Sequence, residues 1–201
     1  MARFFEPHIG DNYTKGLAGG HKLLLIGESH YNEPGSDPCG PEATREVVAS
    51  YLAGTHVPFL DHLYQASCGH RLDLSREEFW SRVAFANFIQ QAMETVAHRP
   101  TDLEWQSGIA PLWQTVNELK PDLVFMFTSA WSNWLPSLAP DGVAERTGPL
   151  DDGPTWLWRY GLADRDVLIA RFNHPSARHN PAIAIWRAWA DHCWGRLVAA
   201  N

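Results

Sequence analysis

Four groups of polar residues in this 201-residue chain have the side chains that chemistry needs, and each lies at or just beyond the end of an apolar run. The first is Gly27-Glu28-Ser29-His30-Tyr31. The second is Asn87. The third is Thr128-Ser129, and the fourth is Asn173-His174-Pro175-Ser176. Histidine exchanges protons near neutral pH, so His30 and His174 are candidate donors or acceptors. A carboxylate such as Glu28 accepts hydrogen bonds or acts as an acid or base. The carboxamide of Asn87 both donates and accepts, and buried at a strand end it would need partners. Among these, Glu28, Asn87 and His174 are the candidate catalytic residues.

The apolar runs are the elements that must position these groups. Lys22 to Gly27, Val83 to Ile89, Leu123 to Phe127 and Val167 to Phe172 lack the alternation of a half-exposed strand. They read as four strands buried on both faces. Helical stretches are expected between them. One starts near Pro41 and runs to about Ala53. A short one follows Pro58-Phe59. Ser75-Arg76-Glu77-Glu78 has capping-box spacing and opens another, to about Arg82. Further helices are expected over Pro111 to Leu119, from Thr128 to about Leu138, and over about Pro181 to Leu197. In the last, Trp186, Trp189, Cys193 and Leu197 share a face. Residues 1–21 read as an N-terminal arm. The stretches 101–108 and 141–154 read as loop, and 155–160 is ambiguous between strand and turn. Strands alternating with helices give an α/β fold: a three-layer α/β/α domain over 1–201 with a central four-stranded, mainly parallel sheet. In such sheets ligands bind at the carboxyl edge. All four polar groups fall on that edge if the strands run parallel.

The ordered motifs resemble those of the uracil-DNA glycosylase superfamily over roughly Lys22 to Trp186. Gly27-Glu28-Ser29-His30-Tyr31 matches its first-strand motif of the form G-[QE]-x-x-[YG]. Pro58-Phe59 resembles its Pro-Phe after the first helix, and Asn87 resembles the Asn that closes its second strand. Leu119-Lys120-Pro121-Asp122-Leu123-Val124 resembles its approach to the third strand. His174-Pro175-Ser176-Ala177 matches its His-Pro-Ser motif. The resemblance implies a DNA base glycosylase of base excision repair, which hydrolyses the N-glycosidic bond of a flipped uracil, damaged or modified base. It implies that Phe59 stacks on the base, Asn87 reads its edge, and His174, kept neutral, stabilises the departing anion. Tyr31 would shape the wall, Ser29 and Ser176 would contact phosphates, and Arg178 would enter the minor groove. No cofactor or metal is implied.

The chain departs from that pattern at Ser29, where the best-known branch carries an Asp that orients water. Glu28 and Glu33 are the nearest carboxylates. The cysteines of the iron–sulfur branch are lacking, and no apolar wedge stands near Ala177-Arg178. A non-catalytic protein that binds a base, nucleotide or modified DNA is therefore the second reading. Gly27-Glu28-Ser29-His30 also resembles the G-x-S-x-G elbow of α/β-hydrolases, with His174 as base. Tyr31 in place of Gly, and the Pro/Gly-rich loop that follows, oppose that third reading. Structural roles stay open beside these: Glu28 bonding backbone in its turn, His30 at a rim, Phe59 in the core, Ser176 as a cap.

Composition narrows the rest. The apolar content of 45% supports a folded core. The formal charge of −7 opposes tight non-specific DNA binding but allows a local basic patch. Cys39, Cys68 and Cys193 form no CxxC pair, so they read as reduced thiols. No leader-like or membrane-spanning apolar run is evident, and a cytoplasmic protein is expected. The sequence leaves oligomeric state open.

Overall fold

The computed structural model describes residues 3–32, 35, 37–95, 97–128, 143–145, 156–175 and 182–198. Its centre is strand β2, Leu23–Gly27, whose five residues are all buried. The run is continuous in sequence because both faces are covered. Leu23 and Leu25 join one core with helices α1 (Ala43–Leu52), α2 (Pro58–Cys68), α3 (Arg76–Arg82) and α6 (Ile183–Val198). Leu24 and Ile26 join a second core with α4 (Asp102–Ser107) and α5 (Ile109–Leu119). Both sheet faces thus carry helices, as a period-two side-chain alternation inside a double-sided core requires.

β2 pairs in parallel with β3 (Val83–Asn87) on one side and β4 (Leu123–Phe127) on the other. β4 pairs in parallel with β7 (Asp166–Phe172). The four strands expected from sequence are therefore parallel neighbours. The sheet itself is larger and mixed. It has seven strands in the order β1-β3-β2-β4-β7-β6-β5, with antiparallel additions at both edges. β1 (His8–Ile9) pairs with β3, β6 (Leu157–Gly161) with β7, and β5 (Val143–Glu145) with β6. The expected four-stranded sheet is corrected on this point. A two-residue strand is too short to show a period, and β6 mixes Trp158, Arg159 and Tyr160, so neither edge announces itself.

Other local expectations shift as well. Over residues 3–21 the expected N-terminal arm packs onto the rest of the domain. Phe5, Tyr13 and Leu17 are buried, and the backbone N–H groups of Phe4 and Phe5 donate to Gln90 Oε1 at 3.1 and 2.9 Å. Helix α4 replaces the loop expected over 101–108. Thr101 and Glu104 form a full capping box there, a T-x-x-E signal present in the sequence. At α3 only half of the expected box exists: Ser75 caps Glu78 N–H, while the Glu78 carboxylate turns to Arg82 at 2.6 Å. β5 falls within the loop expected over 141–154. The helix expected after Thr128, to about Leu138, lies outside the described residues. Trp186, Trp189 and Cys193 are buried on α6 as the helical spacing requires, joined by Trp194.

Candidate functional site

The carboxyl ends of β2 and β3 lie side by side, with Gly27 opposite Asn87. The pairing continues beyond both strands. Phe88 N–H donates to Gly27 C=O, Ile89 N–H to Glu28 C=O, and Met93 N–H to His30 C=O. Asn32 N–H returns a bond to Met93 C=O. The segment 28–32 is thus held as a wall by its own backbone, even though regular sheet has ended.

A cavity of about 490 Å³ opens against this wall. That size falls in the ~300–1,000 Å³ range of small-molecule sites. Glu28, Ser29, His30 and Tyr31 line it from the end of β2, Phe59 from the first turn of α2, Asn87 from β3, and His174 from the end of β7. Residues far apart in the chain meet here because parallel strands deliver their carboxyl ends to one edge. Val47, Val57, Leu60 and Phe85 add apolar surface, and Glu94 and Thr95 complete the lining. Pro58 at the first position of α2 starts the helix where no amide hydrogen is needed, and so sets where Phe59 emerges.

The Phe59 ring is stacked on His174, with centroids 5.2 Å apart and planes 23° apart. Burial holds the His174 imidazole below its ordinary range. Glu28 opposes that shift and Arg99 adds to it. His174 is therefore mainly neutral at pH 7. Glu28 is 8% exposed and accepts a hydrogen bond from Thr128 Oγ1 at 3.3 Å. Asn87 is 5% exposed, and its carboxamide makes no hydrogen bond among the described residues. Its backbone carbonyl accepts from Gln90 Nε2 at 2.6 Å, so the residue that clips the N-terminal segment also fixes Asn87. A buried amide normally has partners. One that lines a cavity without a partner among the described residues is open to a ligand.

No known family model matches this chain, and no curated protein matches it.

Of the other sequence candidates, Gly27 does not itself line the cavity but packs behind it, where a Cβ would collide with Asn87 Oδ1. His30 is pinned by Thr44, Oγ1 to Nε2 2.8 Å, and lies edge-on to Phe5 at 4.7 Å. The Ser29 hydroxyl is buried with no partner among the described residues. No helix follows it directly, since α1 begins at Ala43, so the strand-turn-helix of a hydrolase elbow is not formed. Ser176, Arg178, Glu33 and Ser129 lie outside the described residues. Sequence reading missed His62. It stands one turn beyond Phe59 on α2, edge-on to Phe127, with Nε2 buried and unpartnered among the described residues. Burial lowers its pKa, and His174 lowers it further. The i, i+3 spacing from Phe59 was the available signal.

Among the described residues no group of three or more His, Cys, Asp or Glu is placed to hold a metal ion. No helix among them is long and apolar enough to cross a membrane. Cys39, Cys68 and Cys193 are free thiols.

Burial also makes stability depend on pH. It pushes the His30 imidazole down to about 4 from 6.5. The folded state keeps the ring neutral while the unfolded chain takes up a proton below about 6.5. Stability is therefore full above pH 6.5 and is lost as pH falls toward 4. That shift corresponds to roughly 3 kcal/mol from this ring. Urea unfolding at pH 7.5 and 4.5 checks it. The wild type is expected to lose more stability over that interval than His30→Phe, and equal losses would rule it out.

Proposed function

We propose that this protein is a glycosylase of the uracil-DNA glycosylase type, acting on a base swung out of a nucleic acid strand. One observation carries the reading: Phe59, Asn87 and His174, distant in sequence, line one cavity together with Glu28. Flipping a base costs a few kcal/mol, which stacking and edge recognition must offset. Phe59 supplies the stacking face. The carboxamide of Asn87, with no hydrogen bond among the described residues, supplies a donor and an acceptor to the base edge. As the C1′–N bond breaks, negative charge gathers on the base. The N–H of a neutral His174, donating to a base oxygen, stabilises that charge. Glu28, buried beside it, offsets the positive charge that develops on the sugar.

The test uses single- and double-stranded oligonucleotides carrying uracil, hypoxanthine, xanthine or a bulky modified pyrimidine, followed by alkali. Strand cleavage at the modified position is expected for at least one of them. Intact strands throughout would sink the catalytic reading.

A second reading, binding of a base, nucleotide or modified DNA without cleavage, is favoured by Ser29. It places an uncharged hydroxyl where the resemblance implies a carboxylate. Saturable heat on titration with bases or nucleotides, alongside inert oligonucleotides, would select it.

A further inference from the structure

We propose that His30 holds the attacking water, in place of the carboxylate that Ser29 cannot supply, with Thr44 fixing its ring. This rests on the glycosylase reading above.

Three observations carry it. His30 lines the same cavity as Asn87 and His174 but comes from the wall at the end of β2. Its orientation is fixed several times over. The backbone carbonyl is bound by Met93 N–H at 2.8 Å, the ring Nε2 lies 2.8 Å from the fully buried Thr44 Oγ1, and Phe5 packs edge-on against the ring. With Nε2 engaged by Thr44, Nδ1 is the nitrogen left for a ligand; it makes no hydrogen bond among the described residues. A histidine with only a packing role usually has both nitrogens satisfied or buried, whereas this one edges a cavity. The neighbouring Ser29 hydroxyl, buried and unpartnered among the described residues, is a second polar atom in need of water.

The chemistry suits a weak, permanently neutral acceptor. Once the C1′–N bond lengthens, the sugar is cationic, and a water approaching it becomes acidic. A strong base is not needed, but a cationic ring would repel the sugar. Burial keeps His30 neutral far below physiological pH. The step balances: the water oxygen bonds to C1′, and the C1′–N pair leaves on the base nitrogen. The water proton passes through His30 Nδ1 to solvent, and the base takes up a proton from solvent.

The experiment measures single-turnover base release with the oligonucleotide that the wild type cleaves. His30→Phe removes the acceptor and His30→Gln keeps a polar group of similar reach. Thr44→Val removes the anchor and Thr44→Ser restores it. His30→Phe is expected to lower the chemical rate about 100-fold. Half-saturating substrate should change less than about threefold, because the residue acts after binding. His30→Gln should lie between. Thr44→Val should lose about tenfold and Thr44→Ser should recover it, a pattern that loss of packing alone would not produce. Circular dichroism melts exclude unfolded variants, and the glutamine variant covers a phenylalanine that fails to fold. An active wild type whose two His30 variants keep rates within threefold overturns this role alone. An inactive wild type overturns the glycosylase reading itself.

Discussion

On the glycosylase proposal, replacing His174 by Phe is expected to lower the rate of base release about 10²- to 10³-fold, the usual cost of removing one donor from an oxyanion-type site. Phenylalanine keeps a flat ring against Phe59, so the stack at 5.2 Å survives while the N–H is lost. Binding of substrate should therefore change little and the chemical step a great deal. The pH profile gives a second signature. Burial and Arg99 both hold the imidazole below its ordinary range, with Glu28 opposing them. The working form is the neutral ring, so the rate should stay flat from pH 8 down through 6.5 and fall only below it. Protonation there places a cation against Arg99 and the cationic sugar. Removing the Glu28 charge with Glu28→Gln takes away an influence that opposes the burial shift, and should move the acid limb to still lower pH. Single-turnover rates between pH 4.5 and 8.5 check both. A His174→Phe protein within threefold of wild type would remove the residue from the mechanism.

What could be read from sequence was what physics writes locally. Leu23 to Gly27 and Leu123 to Phe127 are apolar throughout because helices cover both faces, and a run without alternation reports that directly. Parallel pairing then brings Gly27, Asn87 and His174 to one edge, so the candidate site was legible once the strands were. The supports were not. Gln90 clips Phe4 and Phe5 with one oxygen and Asn87 with its amide nitrogen, a purely tertiary arrangement. Phe5 against His30, and Thr44 beneath it, join segments whose spacing carries no periodic signal. The antiparallel edges were hidden for a different reason. β1 is two residues long and is held by its register to Ala84 and Phe85, not by its own propensity.

Gly27→Ala is expected to cost far more in activity than in stability, and the reason is the position of one oxygen. A Cβ built on Gly27 collides with Asn87 Oδ1 and lies 3.2 Å from both the Phe59 and Phe85 rings. The glycine is needed for space, not for an unusual backbone angle, since its φ is not positive. Forcing one methyl into a packed region costs about 1–3 kcal/mol. Displacing a positioned recognition group by about 1 Å costs on the order of 100-fold in rate. The carboxamide is the group that must move, because Phe85 is held within the sheet and its ring is buried. Gly54→Ala separates the two effects. Gly54 has φ of 105° and nothing within 4 Å of its added Cβ, so the change strains the backbone without touching the cavity. It should lower stability by about 1–2 kcal/mol and leave activity intact. If both alanine variants are destabilised alike and Gly27→Ala still cleaves at the wild-type rate, the carboxamide of Asn87 is not what reads the base.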